Sequence, residues 1–143
     1  MESKEVSTDV LVIGGGPGAM FAAIKAREAG AERVTMVCKA VAGSSGCFLW
    51  AQGNVRDYPP DQAESILRHM VEKSPIPVEQ DMLERTLKEM HKRVDELREW
   101  GVKFMKKRGN ETVGGHYGTE PNVFVEGGGI GLLWPMRAQA LRV

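Results

Sequence analysis

The residues best placed to do chemistry are two glycines and an alanine at a fixed spacing. Gly14, Gly16 and Ala19 stand in the run Gly14-Gly15-Gly16-Pro17-Gly18-Ala19 and fit the pattern G-x-G-x-x-G/A. The chemistry this spacing serves is the holding of a pyrophosphate. Gly14 permits a tight turn out of a strand. Gly16 has no Cβ, so a phosphate can approach the backbone. Ala19 is small enough for a helix to pack on that strand. Pro17 and Gly18 fall in the same turn, where the helix points free N–H groups and its positive dipole end at the anion.

Such a turn needs elements to position it. Val10-Leu11-Val12-Ile13 is a short apolar run, which predicts a strand buried on both faces of a parallel sheet. Ala22, Ala23, Ala26 and Ala29 give the next segment strong helix propensity and a slim packing face. Gly30 stands where a glycine closes a helix. Val34-Thr35-Met36-Val37 predicts a second buried strand. The strand–helix–strand unit fills residues 9–38, the length of roughly 30 residues that the motif requires. A dinucleotide is the expected ligand; a crossover whose glycines only make a turn is the alternative. NAD sites usually end the second strand in Asp or Glu, whereas Cys38-Lys39 stands here. The missing carboxylate argues against NAD. Lys39 suits a 2′-phosphate, as in NADP, or a place beside the adenosine. The motif leaves these open.

The chain has 143 residues, enough for one domain with a core. Its 42% apolar and 27% charged residues are ordinary for a globular protein. A formal net charge of zero implies no bulk attraction to nucleic acid or anionic membrane. The opening residues lack the apolar core of a signal peptide, and no later run is long enough to span a membrane. Cys38 and Cys47 lack metal-ligand spacing, so no metal site is expected and a reducing, cytoplasmic setting is. Residues 40–60 are rich in Gly and Ser and lack periodicity, as a functional or disordered loop does. Gly43, Gly46 and Gly53 let backbone approach a ligand, and Ser44 and Ser45 offer hydroxyl and N–H groups. A merely solvated loop is the alternative.

The fingerprint, a second strand ending in a small residue plus Lys39, and a loop carrying Ser44-Ser45-Gly46 and Ala51-Gln52-Gly53 together resemble the flavoprotein subunits of succinate dehydrogenases and fumarate reductases. L-aspartate oxidase and the adenylylsulfate reductase α-subunit belong to the same family. The resemblance implies FAD bound through this region. Gly14, Gly16, Pro17, Gly18 and Ala19 would serve the pyrophosphate. Lys39, next to Cys38, would lie beside the adenosine. Ser44, Ser45, Gly46, Gln52 and Gly53 would line the flavin. Members with covalent flavin carry a His five residues before that Gln, where Cys47 stands here. Non-covalent FAD is therefore implied, a cysteine-linked flavin being the alternative.

Further along, residues 61–73 predict a helix, with Asp61 and Glu64 at capping-box spacing and Ile66, Leu67, Met70 and Val71 as its apolar stripe. His69 lies among polar neighbours and is expected at the surface. Pro75 and Pro77 break the chain. Residues 79–100 predict the longest helix. Leu83, Leu87, Met90, Val94, Leu97 and Trp100 form one face, a charged face lies opposite, and Gly101 ends it. The ending Leu97-Arg98-Glu99-Trp100-Gly101-Val102 is similar to a segment of the family that precedes a short strand, here residues 102–105. A polar turn or hairpin over residues 106–110 follows. Gly114-Gly115-His116 resembles a Gly-Gly-His of several members; His116 contacts substrate or flavin, or is structural. Gly127-Gly128-Gly129 precede an apolar helix over residues 130–141, which Pro135 either starts or kinks. Arg137 and Arg142 are expected at the surface.

The expected fold is α/β: a Rossmann-like FAD-binding βαβ with a parallel sheet and added helices, incomplete relative to the family. Residues 1–39 form the dinucleotide-binding unit, 40–60 the flavin-lining loop, and 61–143 a helical extension leading to the next segment. The resemblance covers only about the opening quarter of a typical member. The capping domain is absent, and no catalytic residue can be carried over. The implied function is the FAD-binding part of an oxidoreductase that passes a hydride between flavin and a dicarboxylate-like substrate in the intact enzyme. An iron–sulfur electron-transfer subunit is the implied partner. The alternatives are an NAD(P)-binding oxidoreductase domain and a catalytically inactive binding module that docks a partner on the long helix. Uncovered apolar sheet edges would leave the chain alone poorly stable or oligomeric.

Overall fold

The computed structural model describes residues 5–107, 110–111 and 122–143. Contacts divide the chain into two units, Met1–Gly53 with Gly127–Val143, and Asn54–Glu126. His116 and the two glycines before it lie outside the described residues.

In the first unit the two apolar runs form β1 (Val10–Ile13) and β2 (Val34–Val37). They pair in parallel, with Val10 opposite Val34 and Ile13 opposite Val37. Helix α1 (Pro17–Glu28) joins them. It starts on a proline, whose missing N–H is no loss in a first turn. It buries Met20, Ala23 and Ile24, with the small residues allowing close approach to the sheet. Gly30, at φ +98°, follows it and donates to the Arg27 carbonyl at 3.0 Å.

Asp9 ties the strands' starts together. Its carboxylate accepts from the Arg33 backbone N–H and from the Arg33 guanidinium, both at 2.8 Å. Those bonds hold the Asp9 carboxyl below its ordinary value of 3.8. A depressed folded value means that the stabilisation is fully present above the unfolded value and is lost as pH falls through the folded one. Asp9→Asn is therefore expected to lower the Tm at neutral pH and to make no difference below the acid transition. Thermal melts of both proteins from pH 7 to pH 2.5 check this.

Burial on both sheet faces, expected from the unbroken apolar runs, is not met. Val12 is buried, but Leu11 is 54% exposed, Ile13 81% and Val37 53%. The α1 side carries the packing, and these side chains alternate onto the other side, as strand geometry requires.

Helix α4 (Gly128–Arg142) packs on α1 and on a 3₁₀ turn at Cys47–Trp50. It buries Gly129, Leu132, Leu133 and Met136. Pro135 does not start it, because the helix begins nearly two turns earlier and runs on through it. Arg27 on α1 closes the unit by donating from Nε to the Val143 carbonyl at 2.8 Å.

In the second unit β3 (Asn54–Arg56) pairs antiparallel with β6 (Asn122–Phe124), Val55 opposite Val123. β3 lies inside the stretch expected to be loop. The expected strand over residues 102–105 is reduced to a single bridge, Phe104 opposite Val125. β4 (Lys106–Lys107) and β5 (Asn110–Glu111) pair antiparallel, as the hairpin expectation required. A 3₁₀ turn at Pro60–Gln62 precedes α2 (Ala63–Lys73). The Asp61–Glu64 capping box does not form: Gln62 is the cap residue and no side chain caps it. Asp61 lies inside the 3₁₀ turn, which moves the helix start one residue on and puts the Asp61–Glu64 spacing out of register with the cap.

Helix α3 (Gln80–Glu99) ends as Gly101 predicts. Gly101 sits at φ +93°, its N–H bonded to Arg98 and the Val102 N–H to Leu97, a Schellman closure. Leu87, Val94 and Leu97 are buried. Leu87 packs with Tyr58 and Ala63, flanked by Ile66, Leu67, Met70, Leu83 and Met90. Leu83, Leu87, Met90, Val94 and Leu97 of the α3 stripe are thus buried or packed, as a buried face of the helix requires. Asp57 braces this core from the side. It accepts from His91 Nδ1 at 2.6 Å and from Arg98 at 3.1 Å, and the Arg98 guanidinium lies 5.1 Å above the Phe104 ring. His69, Arg137 and Arg142 are exposed as expected. Among the described residues no helix is long and apolar enough to cross a membrane.

Candidate functional site

The strands place the glycine turn at the C-terminal end of β1. Gly14 leaves the strand at φ +123°, a conformation open to few residues with a Cβ. Its N–H donates to the Val37 carbonyl at 2.9 Å, which extends the β1–β2 pairing into the turn. A Cβ added there would lie 3.6 Å from the Ala19 Cβ. The small residue at the third fingerprint position is thus in contact with the first.

Gly15 is the tightest member of the turn, although the pattern leaves its position free. A Cβ there would come within 3.1 Å of Cys38 Sγ and 3.2 Å of Ala42 Cα. Two bonds close the same corner. Cys38 Sγ donates to the Gly14 carbonyl at 3.2 Å, and the Gly43 N–H donates to the Gly15 carbonyl at 2.9 Å. Cys38 therefore serves the turn itself. Ala42 and Gly43 join the site through packing that no local pattern announces. Gly43, at φ +74°, has Met20 Cε 3.1 Å and Leu133 Cβ 3.5 Å from where its Cβ would be. Its lack of a side chain answers to protein neighbours.

Gly16 behaves differently. It is the cap residue of α1 at φ −84° and ψ −179°, ordinary extended backbone. A Cβ on Gly16 or on Gly18 would meet nothing within 4 Å. The protein's own packing therefore requires no glycine at either position. The space beside them opens onto the first turn of α1, whose N–H groups lack intrahelical partners. That turn carries no acidic side chain and no side-chain cap. An open, uncapped helix start beside a residue with no Cβ fits a pyrophosphate in shape and sign.

The other candidates fall in two groups. Lys39, Ser44, Ser45, Gly46, Cys47 and Gln52 are exposed. Ser44 closes a turn by donating its N–H to the Val41 carbonyl at 2.9 Å, and Gly46 at φ +89° has open space where a Cβ would be. Gly53 is buried, at φ +73°, and faces Gly128 of α4. The glycines at the start of α4 had been visible in the sequence only as a run before an apolar helix. Among the described residues no group of three or more His, Cys, Asp or Glu side chains could hold a metal ion.

Comparison with known proteins gives the same outline. Residues 9–132 match the family described as FAD binding domain. The FrdA chain of E. coli quinol fumarate reductase superposes with a TM-score of 0.81 at 20% identity, covering 94% of this chain and 24% of that one. The Mycobacterium smegmatis Sdh1 complex in its apo form gives a TM-score of 0.78 at 24% identity, covering 92% of this chain and 23% of that one. Adenylylsulfate reductase from Archaeoglobus fulgidus gives 0.76 at 21% identity, covering 96% and 22%. The chain thus has the fold of these proteins and spans about a quarter of their length. No curated protein matches it.

Proposed function

This chain belongs to the FAD binding domain family, and from that premise we propose that it binds FAD without a covalent link, as part of a flavin-dependent oxidoreductase. The observation that carries this reading is the open space beside Gly16 and Gly18 at the uncapped head of α1. Gly14 and Ala19 shape the turn, Gly16 and Gly18 admit the pyrophosphate, and the first N–H groups of α1 bind it. Lys39, beside Cys38, takes the adenosine end. Ser44, Ser45, Gly46, Cys47, Gln52 and Gly53 take the flavin end, with exposed polar groups at Ser44, Ser45 and Gln52.

When bound, FAD supplies hydride chemistry; the chain supplies position and electrostatics. The substrate class that fits the likeness to quinol fumarate reductase is a small dicarboxylate, with an iron–sulfur subunit as electron partner in the intact enzyme. An NAD(P) site is the weaker reading: no ribose-binding acid follows β2, which speaks against NAD, and the long Gly/Ser loop over residues 40–60 is not needed for either nucleotide. A binding module without turnover is the second reading.

The test is the visible spectrum of the purified chain after incubation with FAD and removal of the excess. The expected result is a retained flavin spectrum that is released on acid precipitation. Colour staying with the precipitate would replace the non-covalent reading by attachment, with Cys47 the first residue to substitute. A colourless protein would overturn the reading for this chain.

A further inference from the structure

Where α4 begins, backbone packs on backbone with no side chain between. A Cβ on Gly129 would fall 1.8 Å from the Phe48 carbonyl oxygen and 3.0 Å from that of Leu49. A Cβ on Gly128 would fall 2.8 Å from the Ala51 carbonyl oxygen, and one on Gly53 would fall 2.8 Å from Gly128 Cα. The Gly129 N–H donates to the Ala51 carbonyl at 2.8 Å. Gly127, Gly128 and Gly53 all hold positive φ, at +78°, +61° and +73°. No flexible side-chain end lies at this contact, so a substituent must move one of the two backbones.

Which one moves follows from what holds each. α4 is anchored by Leu132, Leu133 and Met136, all at 4% exposure or less, and Leu133 also closes on Gly43. The facing segment begins as a single 3₁₀ turn, Cys47–Trp50, with no buried residue and with Trp50 at 83% exposure, and is buried only at its far end, Gly53. The segment is the part that gives way.

We propose that Gly128 and Gly129 are positioning residues. They seat residues 47–53, and so set where Gln52 and Gly53 stand relative to the glycine turn. As a claim about cofactor this rests on the reading that residues 44–53 line the flavin; as a claim about the segment it does not. The seat discriminates between two ends of one ligand. ADP needs only the turn at Gly14–Ala19, whereas FAD also needs the seated segment.

The experiment compares wild type, Gly129→Ala, Gly128→Ala and Ile130→Ala. Ile130 is on the same helix and faces solvent in part. Hydrogen exchange of peptides covering residues 47–53 and 9–37 is measured, with FAD and ADP affinities by titration. In both glycine variants the expected result is at least tenfold faster exchange in residues 47–53, unchanged exchange in residues 9–37, at least tenfold weaker FAD binding, and ADP binding within twofold of wild type. Ile130→Ala should change none of these. Exchange and FAD affinity within twofold of wild type in both glycine variants would overturn the proposal. So would equal losses of FAD and ADP, or faster exchange across residues 9–37, because the glycines would then serve the fold at large. Faster exchange in residues 47–53 with FAD affinity unchanged would also overturn it as a cofactor device. If wild type takes no FAD, the flavin reading fails on its own. The exchange data then still sustain or sink the seat.

Discussion

Gly16→Val is expected to abolish FAD binding and leave the fold intact. The two halves of this expectation have separate causes. The backbone at φ −84° and ψ −179° suits a β-branched residue, and beyond the adjoining residues no atom stands within 4 Å of the added Cβ. The loss of Tm should therefore stay within about 2 °C, the shift that well under 1 kcal/mol produces in a chain of this size. The same Cβ with its methyl groups fills the volume through which a phosphate must reach the α1 N–H groups. A rise in Kd of about 100-fold or more is expected, equivalent to about 2.7 kcal/mol. Gly15→Val is the contrasting variant. Its Cβ collides with Cys38 Sγ and with backbone at Ala42, so it should lower Tm whether or not flavin is present. Melting curves and a flavin fluorescence quench titration on both variants make the comparison. Retained FAD affinity in Gly16→Val would remove the glycine turn from the binding site.

Leu87→Ala should destabilise the second unit by about 2–5 kcal/mol, the usual range for a buried leucine truncated in a core that cannot collapse. Leu87 is 1% exposed and packs against Tyr58 and Ala63, with five further apolar side chains around them. Asp57, bonded to both His91 and Arg98 of α3, fixes the segment leading to Tyr58 and limits any closing of the void. A domain is stable by only about 5–15 kcal/mol, so the loss is a large share of the whole and should shift the melt well clear of wild type. The neighbouring Lys88→Ala removes only an exposed pair with Glu84 and should be nearly silent. Urea melts of both variants decide this. A loss below about 1 kcal/mol for Leu87→Ala would mean that α3 is not packed as described.

The parts legible in the sequence were those written in local periodicity. The βαβ unit was legible because strand, glycine turn, alanine-rich helix and strand follow one another within the motif's own length. Helix α3 was legible because its stripe recurs over five turns and Gly101 closes it. What escaped is non-local. β3 is three residues, Asn54–Arg56, too short to show alternation, and its partner Asn122–Phe124 lies far along the chain. The capping signal at Asp61 was real in spacing but lost to a 3₁₀ turn. The exposure of Leu11, Ile13 and Val37 escaped because an apolar run states what a strand can bury, while neighbours decide what it does bury. At the site, Gly14, Gly16 and Ala19 were found by pattern. Gly15, Gly43, Gly128 and Gly129 depend on which backbone approaches them, and one-dimensional spacing carries no such distance.

The first unit is assembled from both sides of the second, and this has a consequence for the order of events during synthesis. The Arg27–Val143 bond spans 116 residues, and α1 meets α4 only after everything between has been made. The second unit is contiguous and can fold as it emerges, whereas α1 must wait for α4. Contacts of such long separation are slow to form and leave apolar surface bare meanwhile. A nascent chain halted after residue 126 should accordingly protect α3 from protease and leave α1 open to it. The unit that carries the glycine turn is thus started before α3 and completed only after it.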